Sequence, residues 1–298
     1  MPPQSFANYT TQHHSPFTAL LGLLSPWTFL FTSLTYLPGT LLSLPLSSLL
    51  SWPTLQDLWF SRFWSTIGPQ VQTSTSPFVI PLLSGLVHRG AVVPPSAARH
   101  PGLGGTVLEI GAGSGLWASI FSDEHLPPPG TGPLGARTPI THIYGVEPNA
   151  AVHGALRARV AAAGLEGRYE IVPVGIEDLL ATGRVAAGSV DCIVSVLCLC
   201  SIPEPAENIR ELYKCLKPGG RWYVFEHVKA FPEQGRALSL YQAFINLFWP
   251  ICIGGCNIRR DTVNYLLEAG EWSDIDLLQP PQEPWFNTVP HICGTLTK

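Results

Sequence analysis

The sequence predicts an α/β fold, a doubly wound parallel sheet, extended at its N-terminus by an apolar segment. Three observations predict it. Residues 106–121, TVLEIGAGSGLWASIF, join an apolar strand carrying Val107, Leu108 and Ile110 to a glycine-rich turn and a helix start. Strand-like and helix-like runs then alternate at the spacing of βαβ units. Upstream, residues 1–56 contain no Asp, Glu, Lys or Arg.

That charge-free stretch has membrane-like composition, since residues 17–50 are nearly all Leu, Phe, Ser, Thr and Pro. Residues 17–37 are long enough to cross roughly 30 Å of hydrocarbon. Pro26 interrupts them, and Pro38 and Pro45 break the stretch after them, so a span, a hairpin and an in-plane anchor all satisfy the pattern. A cleaved signal peptide is not expected, because the basic n-region is absent. Asn8-Tyr9-Thr10 is formally a glycosylation sequon and carries no weight. Charge returns at residues 57–64, DLWFSRFW, whose four aromatics at near-helical spacing suit either the exit from a membrane interface or packing on the following domain. An irregular lead-in over 74–101, with a short helix around Val79 to Val87, is expected to lie over the site as a lid. The expected division is 1–56 membrane-associating, 57–101 lead-in and lid helices, and 102–298 the α/β domain.

Within that domain Gly111, Gly113 and Gly115 form a G-x-G-x-G turn that a ligand can approach without meeting a Cβ. Glu109, just before it, would repel a pyrophosphate and attract a cation. The helix after the turn is expected to end near Asp123, and 125–139, rich in Pro and Gly, is a surface insertion. Ile140 to Val146 is the second strand, ended by Glu147-Pro148-Asn149; an acidic residue there offers two oxygens to two ribose hydroxyls. Asn149 caps a helix to about Ala163. Tyr169 to Val174 is the third strand, followed by a turn through Ile176 and Glu177. Val190 to Leu197 is the fourth strand and Glu204 to Leu216 an amphipathic helix. The turn Lys217-Pro218-Gly219-Gly220 leads into the fifth strand, Arg221 to Phe225. Gly111, Glu147, Glu177, Leu197 and Glu226 all fall at carboxyl ends of strands, where such sheets bind ligands.

Composition narrows the function. Charged residues are 13% and the net charge is −4, so the basic field that nucleic acid needs is absent and no nucleic-acid partner is expected. Seven cysteines, an odd number lying mostly in apolar runs, read as free thiols in a reducing compartment. Cys198 and Cys200 alternate without two further ligands in a recognisable spacing, Cys256 reads as structural, and the nine histidines form no H-E-x-x-H. No metal is expected. No G-x-S-x-G elbow supports a hydrolase.

The succession VLEIGAGSG, YGVEPN, GIEDL, SVDCIVSVLCLCSI and LKPGGRWYVFEHV resembles the class I S-adenosylmethionine-dependent methyltransferases. The resemblance implies a Rossmann-like sheet and S-adenosyl-L-methionine as cofactor. Glu109 with Gly111, Ala112, Gly113, Ser114 and Gly115 then matches the methionine-contacting loop. Glu147, with Pro148 and Asn149, matches the ribose acceptor, and Ile176 and Glu177 the adenine edge; Leu197 falls at the site. The later GGCN run, Glu226-His227 and Pro290-His291 resemble more narrowly the membrane-anchored methyltransferase-like proteins that methylate small thiols. A small lipophilic thiol is therefore the first acceptor, with His227 and His291 as the evident bases. Residues 240–253 and 284–292, through Tyr241, Phe244, Phe248, Trp249, Trp285 and Phe286, are expected to make its apolar cover. The alternatives are N-, O- or C-methylation of a secondary metabolite, or a non-catalytic membrane-tethered scaffold. The expected location is a membrane, endoplasmic reticulum or lipid droplet, with the catalytic domain in the cytosol.

Overall fold

The chain enters through two long helices, α1 (Pro16–Ser43) and α2 (Trp52–Leu83), in a computed structural model that describes residues 5–8, 15–45, 51–122, 125–126 and 138–298. Tyr9 and Thr10 of the sequon and most of the 125–139 insertion lie outside the described residues. Ser15 caps α1 by accepting from the Thr18 amide, and Pro16 occupies the first turn, where its missing N–H costs nothing. The helix then continues through Pro26 and Pro38. Pro26 cannot donate to the Gly22 carbonyl, and the Ser25 hydroxyl donates to it instead at 2.7 Å.

Helix α2 likewise runs through Pro69, Pro77 and Pro81, so the expected irregular lead-in is helical down to Leu83. Thr73, Thr75 and Ser76 hydroxyls donate to carbonyls one turn back, and Val79, Leu82 and Leu83 are fully buried against the sheet. Burial of that face outweighs the helix-breaking tendency of proline. Trp59 and Phe63 are buried rather than presented to a membrane interface, the Trp59 indole donating to the Ser33 carbonyl at 2.8 Å. Packing is therefore the correct reading of DLWFSRFW at these two positions.

A small hairpin, β1 (Val87–His88) with β2 (Ala91–Val92), leads to the sheet. Its strands are β3 (Gly105–Ile110), β4 (Ile140–Val146), β5 (Tyr169–Val172), β6 (Val190–Val196), β7 (Leu216–His227), β8 (Asp274–Leu278) and β9 (His291–Thr297), in the order β5-β4-β3-β6-β7-β9-β8. The first five are parallel to one another, but β9 is antiparallel to β7 and β8 to β9, so the sheet is mixed, not wholly parallel. Strand β7 also takes in Lys217-Pro218-Gly219-Gly220, expected to be a turn, by a shift of register in which Val190 pairs with Leu216 and Cys192 with Arg221.

Helices cover both faces because successive residues of the buried strands point to opposite sides. Leu108 and Ile110 pack with Ile209 and Leu212 of α4 (Pro205–Cys215), while Val107 packs with Leu156 and Val160 of α3 (His153–Ala162) and with α2. The other α-helices among the described residues are α5 (Gly235–Ile245), α6 (Trp249–Cys252) and α7 (Thr262–Leu267). Leu30 of α1, Trp59 and Phe63 of α2, Ile245 of α5 and Trp249 of α6 form a further apolar cluster at one end of the sheet.

One expected element is absent among the described residues. The glycine turn feeds a single 3-10 turn, Ala118–Phe121, and no α-helix. The Gln72 side chain on α2 donates at 2.5 Å to the Leu116 carbonyl, the acceptor that a helix would give to its own backbone.

Candidate active site

A cavity of about 980 Å³ opens along the carboxyl ends of the parallel strands, at the switch where the chain runs to one side of β3 and then to the other. Its first wall is the glycine turn. Gly111, Gly113 and Gly115 have φ of 68°, 54° and 80°, which a side chain would strain. A Cβ at Gly111 would lie 2.6 Å from that of Cys198 and one at Gly115 2.8 Å from Leu156, whereas at Gly113 the nearest atom is 3.9 Å away. Two of the glycines thus let the turn pack, and the third leaves room for a ligand. Arg159 of α3 holds the Ser114 carbonyl and hydroxyl, both at 2.6 Å.

Glu147 fixes the turn from β4. Its Oε2 accepts from the Gly113 amide and its Oε1 from the Asn149 amide, both at 2.8 Å. Burial raises its pKa, with those two bonds opposing. Asn149 in turn caps the following helix through Ala151. Asp57 of α2, the first charged residue of the chain, also faces the cavity and raises Glu147 further; its own carboxyl is raised by burial. Glu109 stands behind the turn, 4% exposed, and does not line the cavity. The Tyr169 hydroxyl donates to it across Gly145, where a Cβ would collide with that oxygen. Burial pushes Glu109 up to about 7, against the Tyr169 hydrogen bond, which lowers it.

At the other end the turn after β6 meets the ends of β7 and β9. Leu197 leaves β6 with φ of 54°, an uncommon conformation for a branched side chain, so Cys198 and Cys200 lie in this turn and not on one strand face. Glu226, fully buried, holds the turn by accepting from the Cys198 and Leu199 amides at 3.1 and 3.2 Å. Burial, with the Cys200 sulfur next in effect, pushes Glu226 up to about 8. His227 pairs with His291 across β7 and β9. His227 Nε2 lies 3.3 Å from Cys256 Sγ, and its Nδ1 is buried with no partner among the described residues. His291 Nδ1 lies 2.5 Å from Glu283 Oε1.

Of the residues expected at the site, Gly111, Ala112, Gly113, Ser114, Glu147, Pro148, Asn149, Ile176, Glu177, Leu197, His227 and His291 border this one cavity. Gly115 does not, serving the turn from behind like Glu109. The expected aromatic cover is corrected. Trp249 faces the cavity, but Tyr241, Phe244, Phe248, Trp285 and Phe286 do not; Tyr241 instead accepts from Trp27 and donates to the Leu23 carbonyl on α1. Its place is taken by Phe29 of α1 and Phe60 and Trp64 of α2. Sequence reasoning missed these, Asp57, Gly145 and the joint position of Cys200 and Cys256. The return of charge at Asp57 was the one available signal.

A family model described as a methyltransferase domain matches residues 89–265, more than half of the chain. Thiol S-methyltransferase TMT1B of Rattus norvegicus is 34% identical over 116 residues, and TMT1A of Homo sapiens 35% over 117. Each match covers 39% of this chain and 46% of the relative, so less than half the relatives' length is spanned. Among solved structures, trans-methyltransferase CalH in complex with SAH aligns over 83% of this chain and 68% of its own, with a TM-score of 0.52 and 16% identity. An O-methyltransferase family protein from Burkholderia thailandensis aligns over 98% and 74%, with a TM-score of 0.51 and 14% identity. At those identities the likeness is one of fold.

Proposed function

The chain belongs to the family of methyltransferase domains, and from that premise we propose an enzyme that moves the methyl group of S-adenosyl-L-methionine to a small lipophilic thiol. The residues present fit that cofactor. Gly113 leaves space in front of the turn, and Glu147 keeps acceptor capacity on both oxygens beyond its two backbone bonds, enough for a ribose diol. Ile176 and Glu177 border the same cavity for the adenine edge. When bound, the cofactor supplies an electrophilic methyl group on a cationic sulfur. Asp57 and Glu147 on the wall give this end carboxylates suited to that cation.

The observation that carries the acceptor is the contrast between the two ends of the cavity. The end at β7 and β9 is lined by Cys200, Cys256, His227, His291, Trp249 and Ile253, whereas the carboxylates that line the cavity, Asp57, Glu147 and Glu177, come from other elements. Glu226 and Glu283 stand behind this end, engaged by the Cys198 and Leu199 amides and by His291. A thiolate meeting a sulfonium loses charge on reaction, so an apolar, water-poor end favours it. An amine would leave a cationic product needing carboxylates or an aromatic cage, and a hydroxyl would need a strong base. His227 and His291 are the imidazoles in position to take or hold a proton there. The 34–35% identity to proteins named thiol S-methyltransferases supports the same acceptor. Matched alkyl thiol, amine and phenol acceptors, followed by S-adenosylhomocysteine release, test it: turnover of the amine or phenol but not the thiol refutes the assignment.

A membrane is the proposed second partner. Helix α1 is long and apolar enough to cross a bilayer by length and composition. It is also docked on the domain, with Trp27 against Phe244 and Phe248 at 5.7 and 5.9 Å between ring centroids. The exposed Phe17, Leu20, Leu21, Leu24 and Phe31 of α1 join exposed Leu240, Phe244, Leu247, Phe248 and Ile251. A helix seated in the plane of a cytosolic leaflet, beside the free thiols, accounts for both sets.

A further inference from the structure

We infer that Cys200, His227 and Cys256 form a zinc site whose fourth position takes the sulfur of the acceptor thiol, an inference that rests on the thiol reading above. One donor atom from each of the three lies within 4.8 Å of the others, all three residues are buried, and all border the acceptor end of the cavity. A tetrahedral zinc with ordinary Zn–S and Zn–N bonds sets sulfur and nitrogen about 3.5 Å apart. Cys256 Sγ and His227 Nε2 stand at 3.3 Å. Two sulfurs and an imidazole suit zinc and not calcium or magnesium, and three protein ligands with one open position is the pattern of a catalytic site.

Two of the three ligands also have outer partners, while His227 Nδ1 has none among the described residues. The Trp249 indole donates to Cys256 Sγ at 3.2 Å and the Ser201 hydroxyl lies 3.4 Å from Cys200 Sγ, so each sulfur has the outer partner that a thiolate ligand uses. The backbone brings the ligands together from three elements. The Cys200 carbonyl accepts from the Asn257 amide and from Arg260 Nε, each at 3.0 Å, which ties the turn after β6 to the loop carrying Cys256. Gly254 and Gly255, with φ of 51° and 76°, let that loop reverse. No linear spacing announces this set because each ligand comes from a different loop or strand end.

In this site His227 acts as a ligand, which leaves the proton-accepting role to His291 on the same cavity wall; the acceptor thiol binds zinc and gives up its proton to His291. Its sulfur then forms the new S–CH₃ bond as the methyl–sulfonium bond breaks, giving a thioether and neutral S-adenosylhomocysteine, with zinc unchanged in oxidation state.

The test uses the full-length protein loaded with Co²⁺ in place of zinc. A sulfur-to-cobalt charge-transfer band and tetrahedral ligand-field bands are expected, and adding propanethiol should strengthen the charge-transfer band. Cys200→Ser and Cys256→Ser should each weaken the band and lower metal affinity by more than the roughly tenfold to hundredfold that losing an outer partner costs. Cys215→Ser, on α4, should do neither. Absence of the band in the unaltered protein, or a spectrum indifferent to both substitutions, overturns the site even if thiols are methylated. A band that propanethiol strengthens in a protein that methylates only amines or phenols leaves the metal site standing and removes the thiol reading.

Discussion

Glu147 uses each oxygen on a backbone amide, one from the glycine turn and one from Asn149, so it both shapes the turn and faces the cavity. Glu147→Ala should weaken S-adenosylhomocysteine binding by about 1.5 to 3 kcal/mol, the range for hydrogen bonds to a charged group, measured by calorimetry on folded protein. Unchanged affinity would remove Glu147 from the site. Glu109 gives a prediction in pH. Its folded pKa, pushed up to about 7 by burial, lies above the unfolded value of 4.5. Between those values the folded state keeps a proton that the unfolded state has lost, so its contribution to stability falls as pH rises. The expected loss is on the order of 3 kcal/mol across that window, and Glu109→Gln, which still accepts from Tyr169, should flatten the slope of unfolding free energy against pH. A variant with the parent's slope would show that Glu109 does not titrate there.

Helix α5 shows how one element fixes several loops. Gln242, fully buried, donates to the carbonyls of Val228, Ile258 and Thr288 and accepts from the Ala230 amide at 2.8 Å. These segments carry or adjoin His227, Cys256 and His291. Gln242→Leu strands the buried partners and should cost roughly 3 kcal/mol in chemical denaturation, with turnover falling more than cofactor affinity. A loss under about 0.5 kcal/mol would mean the loops hold themselves. The elements were legible in the sequence where period and turn chemistry agreed, as at β3, β4, β6 and Asn149. They were illegible where tertiary contacts decided. The start of the 74–101 stretch read as irregular because its packing on the sheet through Val79 and Leu82 cannot be seen locally, and the helix after Gly115 was expected because Gln72 is remote in sequence. For the candidate site, strand ends located Glu147, Glu177 and His227, but not the crossing of Tyr169 over Gly145 to Glu109.

At the scale of the whole molecule, docking of α1 makes one apolar surface from residues far apart in the chain. Full-length protein should resist carbonate extraction, and Leu240→Glu with Leu247→Glu, both on the exposed side, should move most of it to the soluble fraction with cofactor binding intact. Extraction unaffected by these changes would confine the membrane contact to α1. Removing α1 is a harsher change than its apolar composition suggests, since it uncovers Trp59, Phe63 and Trp249. The same helix contributes Ser25, Pro26 and Phe29 to the cavity wall. On the proposed in-plane seating, an acceptor dissolved in the leaflet would enter between lipid and protein, and the quantity setting its rate would be its mole fraction in lipid. Across a homologous thiol series, KM expressed per total volume should fall in step with the partition coefficient, and for a single thiol it should climb as lipid is added at fixed enzyme.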